Sequence, residues 1–323
     1  MSKKVLIRTA NWLGDIAMSL PLIEGLSRLG ITVDIITLPQ FVELSKVFAS
    51  INRSFSSKDP SLIKQIKEES FDALIVLPNS FRSTFELYKS KIPRRIGYKG
   101  EFRSIFLTDS IKCPPKHSVH MEDYYKELFK LFAADVYPAP PSLRELDIDN
   151  DYIKDILAKS KRPLIGIGFG AAFGSAKIWP MKKYKELIEK LSEFSQVILF
   201  GAKNEEQLAL TLTSMLNSPV TSLVGKTSIL ELSYMLEKLD LYISNDTGGL
   251  HLASILKSNT IAIFGPTNRE ETMPRGANSR AVYHQVDCAP CYKRICPIDH
   301  KCMEQILVDD VLRMAKEILK IES

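Results

Sequence analysis

Residues Leu239–Ala253 read LDLYISNDTGGLHLA. Leu241, Tyr242 and Ile243 form a short apolar run that predicts a buried strand. Ser244-Asn245-Asp246-Thr247-Gly248-Gly249 predicts a polar turn, and helical spacing resumes from Leu250. A strand that enters a helix through an acid, a hydroxyl and two glycines lets a phosphate approach the backbone closely. The first helical N–H groups and the positive end of the helix dipole then face the anion. The same residues also suit a helix that is merely capped, because Asp and Thr side chains accept hydrogen bonds from the first turn. The chain on either side has to decide.

Upstream, Leu164–Gly168 and Gln196–Phe200 read as strands, each followed by helical spacing (Met181–Phe194, Glu205–Leu216). A short strand near Ser222–Val224 and a helix at Ile229–Lys238 complete the approach, and Thr260–Phe264 is the next strand. The first half repeats the rhythm. Strands are predicted at Lys3–Thr9, Thr32–Leu38 and Ala73–Leu77. Helices are predicted at Ile16–Leu29 (interrupted by Pro21), Phe41–Phe48, Ser61–Glu69, Ser80–Tyr88 and Glu122–Phe132. Buried β-branched runs alternating with amphipathic helices imply an α/β chain with parallel sheets covered on both faces. Pro138, Pro140, Pro141 and the acidic stretch Glu145–Asp151 read as a linker, about 135–150. The expectation is two Rossmann-like, doubly wound domains, 1–150 and 151–323, facing a cleft, with ligands beyond the carboxyl ends of the strands.

A length of 323 residues, 45% apolar and 25% charged, suits a globular protein of two ordinary domains. No run approaches ~20 apolar residues, so no membrane-spanning helix is expected. The start, MSKKVLIRTANWLGD, lacks the apolar core and cleavage site of a signal peptide, which points to the cytoplasm. The net charge is +5, with bases crowded between Arg82 and Lys116. Arg82, Arg94, Arg95, Lys99 and Arg103 in that stretch suggest a polyanionic partner, or else a solvated basic face.

Four motifs carry candidate chemistry. Asn11-Trp12-Leu13-Gly14-Asp15 ends the first strand; its single glycine is no dinucleotide fingerprint. Asp15 there is either a general base facing the cleft or an N-cap. The loop Gly168–Pro180, GFGAAFGSAKIWP, combines three glycines with Lys177, which suits a diphosphate but lacks the ending of a P-loop. Gly201-Ala-Lys-Asn-Glu205-Glu206 places acids just past a strand-terminal glycine, where they can accept from ribose hydroxyls or simply favour a helix start. Cys288, Cys291, Cys296 and Cys302 follow a C-x2-C-x4-C-x5-C pattern with His300 inside. They are read either as a closed structural zinc site or as reduced thiols. His251, within the first helical turn, either touches a phosphate or packs.

In order, NWLGDIAMSLP, GAAFGSAKIWP, GAKNEEQ, YISNDTGGLHLA and IFGPTNREET resemble the ADP-heptose–lipopolysaccharide heptosyltransferases, glycosyltransferase family 9, over nearly the whole chain. CAPCYKRICPIDHKCM resembles the heptosyltransferase II branch. The resemblance implies the GT-B architecture, with the acceptor on the first domain and the nucleotide-sugar on the second. It also implies an inverting reaction that needs no cofactor. By motif position it makes Asp15 the general base, Lys177 the phosphate-binding lysine and Glu206 the ribose contact. Asp246, Thr247, Gly248 and Gly249 hold sugar and diphosphate, with His251 following. Some members carry threonines before the lysine, where this chain has Ala172 and Phe173. The implied partners are ADP-heptose, heptosyl-Kdo2-lipid A and the cytoplasmic face of the inner membrane, with no nucleic acid. Heptosyltransferase I, another GT-B glycosyltransferase with a different nucleotide-sugar, or a nucleotide-binding module without catalysis are the competing expectations.

Overall fold

The structure is a computed structural model and describes residues 3–100, 102–132, 140–160 and 163–321. The chain divides into two compact units, Met1–Leu146 and Asp147–Ser323.

In the first unit, strands β1 (Lys4–Arg8), β2 (Thr32–Thr37), β3 (Arg53–Ser56), β4 (Ala73–Val76), β5 (Arg94–Tyr98) and β6 (Asp109–Ile111) form one sheet in the order β3-β2-β1-β4-β5-β6. Every pairing is parallel. The second unit repeats this plan with β7 (Leu164–Gly168), β8 (Gln196–Phe200), β9 (Thr221–Ser222), β10 (Leu241–Asn245), β11 (Thr260–Phe264) and β12 (Ser279–Tyr283). Its order is β12-β11-β10-β7-β8-β9, again parallel throughout. In both sheets the chain runs outward from a first central strand, then crosses to the other side. The reversal lies between β1 and β4 in one sheet and between β7 and β10 in the other. At such points the loops leaving adjacent carboxyl ends diverge and open a crevice.

The central strands are buried along their length because both faces are covered by helices; β4, β7, β10 and β11 are buried at every position. Strands β3, β5, β6 and β12 escaped the sequence reading. Their sequences, RSFS, RRIGY, DSI and SRAVY, are short; β3, β6 and β12 bury at most one position each, and β5 opens on two arginines before Ile96 to Tyr98 enter the core.

The helix Leu13–Arg28 runs through Pro21 rather than breaking there. Residues Ile16 to Leu26 are continuously buried, so tertiary packing outweighs the one backbone hydrogen bond that proline cannot donate. The helix expected at Phe41–Phe48 is reduced to a 3-10 turn at Pro39–Phe41 and one turn at Leu44–Val47. In the expected linker, residues 133–139, including Pro138, lie outside the described residues. Beyond them, Ser142 donates its backbone N–H and its hydroxyl to buried Glu24 (2.9 and 2.8 Å), and Leu143 bridges Phe48. The last helix, Val308–Leu319, packs on Met181–Ser192 and on β10 and β11 of its own unit.

Candidate active site

The two loops that leave β7 and β10, on either side of the reversal in the second sheet, are tied together by buried polar groups. Ser244 and Asn245, expected in a turn, are the last residues of β10 and fully buried. The Asn245 amide donates to the carbonyls of Phe169 and Gly170 (3.0 and 3.1 Å). Its oxygen accepts from the Trp179 backbone N–H (3.2 Å) and the Tyr184 hydroxyl (2.9 Å). One side chain thus fixes both ends of the Gly168–Pro180 loop. A buried amide used to near capacity is well suited to such positioning.

Asp246 follows at the centre of a charged cluster. Lys177 Nζ lies 2.5 Å from its Oδ2, and the two side chains are 12% and 4% exposed. Thr267 donates its hydroxyl to the same oxygen (2.9 Å), and His251 Nε2 stands 3.4 Å from Oδ1. Burial alone would push the Asp246 carboxyl up; the Lys177 charge, with His251, outweighs it and holds the group well below the usual carboxylate range. Lys177 is therefore not a loose loop cation. Its ammonium faces the Phe173 ring (5.1 Å to the centroid), at a position where the resemblance noted a missing threonine.

Asp246 is not a helix cap. Thr247 is the N-cap of Gly248–Ile255, and its hydroxyl pairs with Ser244 Oγ (3.0 Å) instead of capping the first turn. Gly248 and Gly249 open that helix two residues earlier than the spacing suggested. A Cβ at Gly249 would sit 2.9 Å from the Tyr242 hydroxyl, so close packing requires glycine there. His251 is buried behind Asp246.

Glu206 begins the helix Glu206–Met215 as an exposed residue, with its carboxylate beside Gly225. Its neighbour Glu205 turns inward. Glu205 accepts from the Ala202 N–H (2.7 Å), and a Cβ at either Gly170 or Gly201 would collide with its carboxylate. Burial raises the Glu205 pKa. The motif holds both acids and the resemblance gives the ribose contact to Glu206; the small residues at 170 and 201 are the signal that Glu205 is the one that turns inward.

In the first unit Asp15 lies beyond the carboxyl end of β1, beside the β1–β4 reversal. It is the third residue of the helix Leu13–Arg28; the N-cap is Trp12, which makes no side-chain cap. A carboxylate in the first turn is favoured by the helix dipole. The Tyr125 hydroxyl donates to Asp15 Oδ1 (3.2 Å), and burial together with the Asp15 charge holds Tyr125 in its phenol form.

The five basic residues expected to face an anion have different roles. Arg103 is fully buried and donates to the carbonyls of Tyr98 (2.7 Å) and Pro78. Arg95 donates to the carbonyls of Phe106, Ile92 and Pro93. Arg94 pairs with Asp109 (3.1 Å) and bonds the Leu131 carbonyl. Arg82 pairs with Glu86 on an exposed helix face, and Lys99 is exposed. Arg103 in particular is a rivet of the fold, its buried guanidinium held by main-chain carbonyls.

The zinc tetrahedron is likewise not assembled. Cys288, Cys291, Cys296 and Cys302 are free thiols lining one small cavity, yet no three metal-ligating side chains converge among the described residues. His300 donates Nε2–H to the Ala176 carbonyl (2.7 Å). Burial, with the three neighbouring cysteines, pushes the Cys302 thiol up to about 11. The segment also acts as a brace. The Arg294 carbonyl accepts from the Ala176 N–H (3.0 Å), and its backbone packs where Gly174 leaves no Cβ.

The sequence profile described as glycosyltransferase family 9 (heptosyltransferase) matches residues 60–302, three quarters of the chain. The chain belongs to glycosyltransferase family 9. It is a glycosyltransferase of the heptosyltransferase type, in the class that builds lipopolysaccharide core. It is similar to lipooligosaccharide heptosyltransferase 2 of Campylobacter jejuni, 29% identical over 98% of both chains. It is also similar to lipopolysaccharide heptosyltransferase 2 of Salmonella typhimurium, 30% identical over 68% of this chain and 69% of that one. Among solved structures, E. coli ADP-heptose lps heptosyltransferase II matches with a TM-score of 0.85 at 24% identity, covering 98% of each chain. The paired Rossmann-like units are the GT-B architecture of that family.

Proposed function

We propose that this enzyme transfers heptose from ADP-L-glycero-D-manno-heptose to the first heptose of heptosyl-Kdo2-lipid A, with inversion at the anomeric carbon. The observation that carries the reading is the Asp246–Lys177 pair, held at the β7–β10 reversal next to the start of the helix Gly248–Ile255. A diphosphate placed there meets an ammonium and the backbone N–H groups of Thr247 to Gly249. These groups are positioned before the reaction and stabilise charge as it develops on the leaving ADP. Glu206 would accept from the ribose, and His251 supports Asp246 from behind.

Asp15 takes the proton of the acceptor hydroxyl as that oxygen bonds to the anomeric carbon. The bond from that carbon to the ADP oxygen breaks on the opposite face, and its electron pair leaves with ADP. Lys177 and the helix start meet the charge, so no metal is called for. The acceptor is a glycolipid, which puts the enzyme in the cytoplasm at the inner face of the inner membrane. Its partners are then ADP-heptose, the lipopolysaccharide inner core and the membrane surface, with no nucleic acid.

Release of ADP from ADP-heptose in the presence of acceptor tests the roles. Asp15→Asn should slow release by about 10²-fold or more while donor binding persists, and Lys177→Ala should lose both turnover and donor affinity. Near-normal turnover in Asp15→Asn would remove that residue from the chemistry.

A further inference from the structure

The helix Phe81–Tyr88 carries Phe81, Phe85 and Tyr88 at i, i+4 and i+7, a spacing that ordinarily marks a core-facing stripe. Here the stripe faces outward. Thr84 and Leu87 fill the buried side, while all three aromatics are exposed. Phe106 joins them, with ring centroids 5.5, 5.3 and 5.2 Å from Phe81, Phe85 and Tyr88, so the rings form one continuous apolar face. Phe102 and Ile105, on the same 3-10 segment as Phe106 and its cap, are 89% and 76% exposed.

The loop that presents them is held against its own preference. Phe102 has φ of 57°, the left-handed region that a bulky residue avoids without compensation. Compensation comes from Arg103, whose N–H bonds the Gly100 carbonyl (3.0 Å) and whose buried guanidinium grips Tyr98 and Pro78. Buried Arg103 thus fixes a turn whose outcome is a phenylalanine in water.

Cations surround this face. Lys89 Nζ lies over the Phe85 ring (5.1 Å) and the Arg95 guanidinium over Tyr88 (5.2 Å). Arg82, Lys89, Lys91 and Lys99 are exposed on the same segments. Contiguous exposed aromatic surface marks an interaction site. Aromatics with a lysine and arginine rim match the interfacial zone of an anionic bilayer, where rings enter the headgroup layer and cations meet lipid phosphates.

We propose that this face, centred on Phe81, Phe85, Phe102, Ile105 and Phe106, seats the enzyme on anionic lipid. The inference rests on the reading of a membrane glycolipid acceptor and assigns its docking surface. It replaces the basic cluster as a whole with an aromatic face and its rim.

The test is co-sedimentation of the full chain with phosphatidylcholine vesicles, with and without phosphatidylglycerol. In parallel, heptose transfer to detergent-dispersed acceptor is measured. The wild type should bind only the anionic vesicles. F102N/I105N should weaken that binding at least tenfold with unchanged melting temperature and unchanged transfer in detergent, because both side chains are exposed and Asn tolerates the left-handed region. K89Q/K91Q should weaken binding several-fold and flatten its salt dependence. Equal vesicle binding by F102N/I105N and wild type would overturn the surface while leaving the transferase reading intact. Vesicle binding through this face without any heptose transfer would do the reverse. A double variant that shifts a monomer–dimer equilibrium on a sizing column, with vesicle binding intact, would assign the face to a second copy and also overturn the proposal.

Discussion

Replacing Asp246 with asparagine keeps the shape of the side chain and removes its charge. Lys177, only 12% exposed and 2.5 Å away, then becomes a cation without its counter-ion. Breaking one partner of a buried pair costs about 3–5 kcal/mol, mostly through the charge left behind. For a unit of this size that corresponds to a melting shift of roughly 6–20 °C. Lys177→Met should cost a comparable amount, for it leaves a buried carboxylate with Thr267, Thr272 and His251 as its side-chain neighbours among the described residues. The double variant should cost much less than the sum, with a coupling of about 2–3 kcal/mol. Because the folded Asp246 pKa is depressed, its contribution is fully present above the ordinary carboxylate range. It is lost only as pH falls through the lower folded value. The penalty of Asp246→Asn should therefore be flat from about pH 5 to pH 8 and shrink only in acid below the usual ~3.9. Denaturant melts of the four proteins across pH read this directly. Additive single and double variants, or a penalty that changes across neutral pH, would refute the hub.

Four further outcomes follow from other contacts. Asp15→Asn should lower kcat by about 10²- to 10⁴-fold, the span expected for loss of a general base, with donor KM little changed. Gly174→Ala should cost about 1–3 kcal/mol in a melt and weaken ADP binding, since its Cβ would overlap the Arg294 backbone at a φ of 155° and shift the Lys177 loop. Arg103→Ala should destabilise by about 2–4 kcal/mol, whereas Arg82→Gln, on an exposed surface pair, should stay within ~0.5 kcal/mol. In a thiol-modification time course at pH 8, exposed Cys288 should react early and buried Cys302 last, and unfolding should erase the difference.

The parallel strands that were legible in the sequence are those whose burial on both faces demands a continuous apolar run, as in ALIV at 73–76 and TIAIF at 260–264. β5 was hidden because its first residues, Arg94 and Arg95, look like part of a charge cluster. Only their partners, Asp109 and the carbonyls of Phe106 and Ile92, show that the heads are held locally while Ile96 to Tyr98 enter the core. The glycine-rich loop and the NDTGG turn were recognisable because glycine and short polar residues are what close backbone approach requires. That Asp246 spends its charge on Lys177, 69 residues away, is a consequence of the β7–β10 pairing and leaves no local trace. The inward turn of Glu205 instead of Glu206 was set by side-chain volume at Gly170 and Gly201, again across strands. The cysteine spacing suggested a metal; what it did not reveal is that the main chain of that segment braces Ala176 and Pro266.

The most direct test of the transferase account is the mass of the glycolipid after incubation with purified enzyme. Heptosyl-Kdo2-lipid A and Kdo2-lipid A are each supplied with ADP-heptose, and UDP-glucose serves as the competing donor. The account predicts a gain of one heptose on the heptosylated acceptor with ADP-heptose alone. A gain on Kdo2-lipid A only, transfer from UDP-glucose, or no transfer despite ADP binding would contradict it.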